Sequence, residues 1–187
     1  FGSELAVVKG GAANAGDIFL SKTTDKSLGL QDEGYLMEIG DSVSVKAETK
    51  TGAYWSTRTI LQALKTGNGS IPQGVTRDYP LYKVRGLILD VGRKTFSLDW
   101  LKQMSKQLSW FKLNDFQVHL SDNYIWVEEY SDDTVNTAYN GFRLESDIKK
   151  GGNNGKNKAD LTSTDVWYSK ADFREFIKHS RDLGVNI

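Results

Sequence analysis

Two short polar clusters stand where apolar runs give out. Asp90-Val-Gly-Arg93 follows Leu87-Ile-Leu89, and His119-Leu-Ser-Asp122-Asn123 closes the run that begins at Phe116. Arg93 offers a rigid fork of five donors, suited to vicinal hydroxyls or a carboxylate. Asp122 can accept hydrogen bonds and orient a histidine or lysine partner. If the two apolar runs are strands of a parallel α/β fold, function is expected at their C-terminal ends. Arg93, His119 and Asp122 then belong to one rim. The same pattern also fits an Arg–Asp pair that only ties two strands together, or a histidine satisfied within the core. His179 lies on the polar side of a helix near the C-terminus and is expected at the surface.

The elements that must position these residues can be read from periodicity. Leu87-Ile-Leu89 is continuous, as in a strand buried on both faces. Ser97 is placed to cap a helix carrying Leu101, Met104, Leu108 and Phe111. Phe116 to Leu120 reads as a second strand. Ser169-Lys-Ala-Asp172 resembles a capping box with Asp in place of Glu. Phe173, Phe176 and Ile177 then face one side, and Gly184 is a natural stop. Val185-Asn-Ile187 reads as the start of a third strand. Strand, helix, strand, helix, strand predicts parallel pairing through crossovers.

The preceding stretch has another character. Asp17-Ile-Phe-Leu20 is a short strand candidate. Glu33 to Ile39 alternates, with Tyr35, Met37 and Ile39 on one face. Ser42 to Ala47 alternates again through Val43 and Val45, and Gly40-Asp41 between them signals a hairpin. Thr57, Ile60, Leu61 and Leu64 share one face of a helix that stops at Gly67. A small sheet with one helix on it is expected, ending in a seam near residues 66 to 82. Thr66 to Gly74 has loop composition, and Asn68-Gly-Ser70 reads as a turn before it reads as a glycosylation sequon.

Between the second strand and the last helix lie about fifty residues, Ser121 to Lys170. Loops of that length usually carry function or remain unstructured. This one holds Tyr124, Trp126, Tyr130, Tyr139, Phe142, Trp167 and Tyr168, fit either to stack on sugar rings or to pin the loop to its scaffold. Its tract Lys149 to Lys158 is rich in glycine and asparagine and reads as a flexible tip. Gly151-Gly-Asn-Asn-Gly155 neither follows a strand nor ends in Gly-Lys-Ser/Thr, so it is no phosphate loop.

Composition narrows the chemistry. The 187 residues are 39% hydrophobic and 26% charged, ordinary for a folded chain. Lys plus Arg and Asp plus Glu each number 24, so no basic excess points to nucleic acid or an anionic membrane. Without cysteine there is no disulfide, thiol nucleophile or thiolate metal site. With two histidines a multi-histidine metal centre is not expected. No apolar run is long enough for a transmembrane helix, and Phe1 to Gly10 does not read as a signal peptide.

The residues at the rim carry a resemblance. Val84-Arg-Gly-Leu-Ile-Leu-Asp-Val-Gly-Arg-Lys-Thr-Phe96 resembles the first barrel strand of the family 20 glycoside hydrolases, the β-N-acetylhexosaminidases, with their Arg-Gly-x-x-x-Asp-x-x-Arg. Lys112-Leu-Asn-Asp-Phe-Gln-Val-His-Leu-Ser-Asp-Asn123 resembles their second strand with its His-Leu-x-Asp, at fitting spacing. Asp32-Glu-Gly-Tyr-Leu-Met-Glu38 and Thr51-Gly-Ala-Tyr-Trp-Ser-Thr-Arg-Thr-Ile-Leu-Gln62 resemble the small α+β domain that precedes the barrel. Phe142-Arg-Leu-Glu-Ser-Asp147 is similar to a branch of large, surface-attached bacterial enzymes that includes lacto-N-biosidase-like proteins.

The resemblance implies an α/β chain: a small α+β domain over residues 1–80, then the first, incomplete part of a (β/α)8 TIM barrel over residues 81–187. It implies removal of terminal β-linked N-acetylglucosamine or N-acetylgalactosamine from a glycan. The substrate's own acetamido oxygen is the nucleophile, and no metal or organic cofactor is implied. Arg93 matches the arginine that grips hydroxyls of the terminal sugar. Asp122 matches the aspartate that supports the acid through a histidine relay, and His119 the supporting second-strand histidine. Lys94, Gln117 and Asn123 depart from the family's usual His, His and Asp. They leave the sugar grip intact and change its surroundings.

The family's catalytic Asp-Glu pair follows the fourth strand, so no catalytic residue is assigned here. A barrel of this kind needs about 250 residues, and about 105 follow the seam. The expected partners are therefore a glycan ending in N-acetylhexosamine and the remainder of the same enzyme, in an extracellular or cell-surface bacterial setting. Two other readings compete. One is a non-catalytic glycan-binding or structural module that retains Arg93. The other is a doubly wound nucleotide-binding domain, opposed by the lack of a glycine fingerprint after Leu89.

Overall fold

The computed structural model describes residues 5–122, 142–145 and 167–187. The chain divides into two compact units, Phe1–Lys83 and Val84–Ile187.

In the first unit, alternation becomes a four-stranded sheet. Its strands are β1 (Ile18–Lys22), β2 (Tyr35–Ile39), β3 (Val43–Ala47) and β4 (Gly74–Asp78), in the order β1-β3-β2-β4. β2 and β3 form the expected hairpin, with Met37 opposite Val45. β1 runs parallel to β3 on the other side. Tyr35, Met37, Val45 and Ala47 are buried, and Ile39 and Val43 pack at the margin. Helix α1 (Lys50–Thr66) lies on this face.

Two details differ from expectation. The helix begins about two turns earlier than its apolar spacing suggests, capped by Thr49, whose hydroxyl accepts from the Gly52 amide. Its buried residues are Gly52, Trp55, Ser56 and Ile60, whereas Thr57 is only half-buried. Gly52 sits so close to β2 that an added Cβ would stand 2.3 Å from the Gly34 carbonyl oxygen, and this approach sets which face turns inward. Trp55 follows it inward and donates its indole N–H to Glu33 at 2.8 Å. The second difference is β4. Gly74 to Asp78 pairs antiparallel with β2 inside the seam read as loop. An edge strand with Val75 72% exposed shows no buried period.

In the second unit, β5 (Gly86–Asp90) and β6 (Asp115–His119) pair in parallel, and α2 (Leu98–Trp110) connects them. The Asp115–Asn186 bridge lays Val185–Ile187 parallel to β6, as the third-strand reading expects. Helix α3 (Lys170–Asp182) precedes it, capped by Ser169, which accepts from the Asp172 amide at 3.0 Å. Gly184, at φ +76°, supplies the left-handed turn after the helix. The core is Val91, Leu101, Leu108, Phe116, Tyr168, Phe173, Phe176 and Val185. The two helices meet through Ser105 and Ser180, both fully buried, with their hydroxyls 2.9 Å apart.

β5 is not buried on both faces as its composition suggests. Ile88 is 65% exposed, because among the described residues β5 has β6 on one edge only and nothing covers its second face. Phe111 caps α2 and is exposed rather than continuing the buried stripe. His179 is half-buried rather than on the surface, and its Nε2 is enclosed.

Candidate functional site

The rim forms because β5 and β6 end together. Asp90 lies opposite His119 in the parallel register. The ladder runs one step further, with the amides of Val91 and Gly92 donating to the His119 carbonyl at 3.0 and 3.2 Å. The chain then turns on Asp90. One carboxylate oxygen accepts from the amides of Gly92 and Arg93 at 2.9 and 3.0 Å. This is the local turn that Asp favours when it can reach the amides two and three residues on.

The turn aims the Arg93 side chain back across the strand ends. Its Nη1 donates to the second oxygen of Asp90 at 2.9 Å, and its Nη2 to Asp122 Oδ2 at 2.8 Å. The same Asp122 oxygen lies 2.8 Å from His119 Nε2. Arg93, His119 and Asp122 are thus brought together as the strand-end argument expects. The four side chains keep between 28 and 39% of their surface in solvent. The cluster is neither a buried strut nor a free surface patch. Its polar groups are oriented by one another and open on one side.

Gly92 makes this closeness possible. An added Cβ there would stand 2.8 Å from Ser121 Cα and 3.1 Å from the Asp122 nitrogen. Only a residue without a side chain lets the first strand end approach the backbone that carries Asp122.

Asp90, His119 and Asp122 each place a possible ligand atom within 4.8 Å of the others. Both carboxylates already engage the Arg93 guanidinium, which competes with any cation for them. The arrangement therefore suits a neutral, hydroxyl-rich ligand: a fixed donor fork flanked by acceptors.

Asp90 and Arg143 are the two site residues that spacing alone does not single out. For Asp90 the signal exists, since Asp-x-x-Arg puts a carboxylate three residues before the fork. For Arg143 there is none in the periodicity. It is 1% exposed, and its Nε and Nη2 donate to the carbonyls of Val91 and Gly92 at 2.9 and 3.1 Å. Of the loop aromatics, Tyr168 is buried and donates its hydroxyl to the Phe96 carbonyl at 2.6 Å, so it pins the loop to the scaffold. Trp167 is half-exposed. Asn123, Tyr124, Trp126, Tyr130, Tyr139, the tract Lys149 to Lys158 and the end of Phe142 to Asp147 lie outside the described residues.

Residues 82–187 match Glycosyl hydrolase family 20, catalytic domain, and residues 2–79 match Glycosyl hydrolase family 20, domain 2. A lacto-N-biosidase of Bifidobacterium bifidum is 25% identical over 95% of this chain and 13% of its own length. A β-hexosaminidase of Porphyromonas gingivalis is 29% identical over 87% of this chain and 21% of its own length. The solved GH20 β-N-acetylhexosaminidase of Streptomyces coelicolor shares the fold, with a TM-score of 0.67 and 22% identity. That match covers 92% of this chain and 33% of the other. The chain therefore spans about a third or less of these proteins.

Proposed function

The chain belongs to glycosyl hydrolase family 20, and from that premise we propose that it is the N-terminal part of an exo-acting β-N-acetylhexosaminidase. The whole enzyme removes terminal β-linked N-acetylglucosamine or N-acetylgalactosamine from glycans. The observation that carries the reading is the Arg93 fork, held between Asp90 and Asp122 at the ends of two parallel strands.

In this reading Arg93 donates to neighbouring hydroxyls of the terminal sugar. A sugar hydroxyl is neutral, so the site gains more from directed donors than from net charge. Asp90 and Asp122 balance the guanidinium and stop its fork from rotating. Asp122 also fixes the His119 ring, which supports the acid side of the site. The nucleophile is the substrate's own acetamido oxygen, and departure of the leaving group needs a protonated carboxyl. That carboxyl and its neighbouring Asp belong to a later strand of the barrel, outside this chain. What these residues supply is a terminal sugar held in one orientation, which is where much of the rate of a positioned reaction arises.

No helix among the described residues is long and apolar enough to cross a membrane. An extracellular or cell-surface bacterial setting is part of the proposal. It rests on the similarity of Phe142 to Asp147 to the surface-attached branch. Fractionation of the source cells tests it, and activity confined to the cytosol overturns it.

The function is tested by hydrolysis of aryl β-N-acetylglucosaminide and β-N-acetylgalactosaminide. The 187 residues alone should give no turnover, and the same chain joined to the rest of its barrel should give clear turnover. An inert extended protein defeats the activity. Turnover by the chain alone defeats the placement of the acid beyond it.

A further inference from the structure

Gly92 poses a problem that the strands alone do not solve. It must be glycine, because a Cβ would meet the backbone of Ser121 and Asp122. Glycine is also the residue least able to fix its own backbone. Yet Arg93, next in the chain, has to present its fork in one place.

Arg143 supplies the solution. Its Nε bonds to the Val91 carbonyl and its Nη2 to the Gly92 carbonyl. Those carbonyls belong to the two peptide planes on either side of Gly92, so one planar guanidinium fixes both. The backbone amide of Arg143 donates to the Leu120 carbonyl at 3.1 Å, just before Ser121 and Asp122. One residue therefore ties the strand end that carries Arg93 to the strand end that carries Asp122.

Arg143 is itself held. Its carbonyl accepts from the Tyr168 amide at 2.6 Å, and the Glu145 amide donates to the Tyr168 carbonyl at 2.9 Å. The Tyr168 hydroxyl reaches the Phe96 carbonyl, at the far end of the segment that bears Arg93. The two ends of the long excursion between β6 and α3 thus clamp residues 91 to 96 from both sides.

We propose that Arg143 is a positioning residue for Arg93, assisted by Tyr168, and that the two described ends of the excursion after β6 thereby support the sugar grip. The inference rests on the reading of Arg93 as the group that holds the terminal sugar. Lysine cannot replace Arg143, because a single ammonium does not present two parallel donors to two successive carbonyls. Displacement of the fork by about an ångström is enough to cost up to about a hundredfold in rate.

The test uses the chain joined to the rest of its barrel. R143K and R143M should each lower kcat/KM by about ten- to a hundredfold, mainly through KM. In an R93A background the same changes should add almost nothing, since the group they position is gone. Y168F, which deletes one hydroxyl, should give a smaller loss with the same dependence on Arg93. It also serves if R143M fails to fold. Equal losses with and without Arg93 would mark Arg143 as scaffold only and overturn the proposal, as would an unchanged kcat/KM in R143K. A crystal structure of R143K decides the placement without reference to activity. The Arg93–Asp122 pair should open beyond 4 Å, and a pair still closed at its present length overturns the proposal. Wild-type protein inert on every aryl β-N-acetylhexosaminide would instead defeat the assigned function and leave the placement to the crystal structure.

Discussion

Arg93 and Asp122 meet across the ends of two parallel strands, Nη2 to Oδ2 at 2.8 Å, although they stand 29 positions apart in the sequence. Neither residue could be placed by its own strand alone. The parallel register that sets Asp90 opposite His119 brings the two strand ends level, and Asp90 then turns the fork toward its partner.

Replacing Arg93 with Ala in the extended enzyme should lower kcat/KM by about a hundredfold, or about 3 kcal/mol, the scale for losing charged hydrogen bonds. Lysine should restore little, because Asp90 and Asp122 are met by two different nitrogens of one plane. Steady-state kinetics on an aryl β-N-acetylglucosaminide measures both, and an R93A enzyme with wild-type kcat/KM removes Arg93 from the site.

Replacing Gly92 with Ala should cost about 1–3 kcal/mol of stability, the range for overpacking. The new methyl meets backbone at Ser121 and Asp122 rather than a movable side chain. Urea unfolding of the extended protein measures it. A neutral substitution would show that the two strand ends can separate freely.

Ser105 and Ser180 allow a third test, away from the site. Each hydroxyl also reaches a carbonyl of its own helix, Leu101 for Ser105 and Phe176 for Ser180. Either Ser→Ala change should therefore cost only about 1 kcal/mol. S105L should cost several times more, because both side chains are fully buried where α2 meets α3. Thermal unfolding distinguishes the two, and a tolerated leucine would contradict the close helix contact.

In the first unit, Gly34 is the glycine where an added Cβ meets the nearest backbone atom. An added Cβ would stand 2.1 Å from the Leu30 carbonyl oxygen and 2.9 Å from that of Asp78. G34A should destabilise the unit by about 2 kcal/mol or more, since both neighbours are backbone. G40A, where an added Cβ has open space around it, is the control. Equal stability of the two variants would refute the crowding.

The parts of this architecture that follow a period were open to reading. Tyr35, Met37 and Val45 alternate because one sheet face is buried, and Leu101, Leu108, Phe173 and Phe176 recur because two helices bury one side. β4 escaped because an exposed edge strand has no apolar period to show. Ile88 misled, because an apolar run states what a strand tolerates and not what covers it. At the site, Arg93, His119 and Asp122 followed from one topological rule, that chemistry gathers where parallel strands end. Arg143 did not. Its role depends on two main-chain carbonyls about fifty residues away, and main-chain atoms leave no mark in a sequence.

That span has a consequence for how the protein is made. The bonds from Arg143 to Gly92 and Val91 link residues 51 and 52 apart, and the Tyr168 bond to Phe96 closes 72. β5, α2 and β6 can come together as soon as they leave the ribosome, since a short helical crossover joins them. The segment bearing Arg93 has to wait for the returning ends of the excursion. Contacts of long sequence separation form late because the chain between them must be ordered first. The clamped segment around Arg93 is therefore among the last pieces of this unit to set during synthesis. A nascent chain arrested before Tyr168 would lack the hydroxyl that ties Phe96 and closes this clamp.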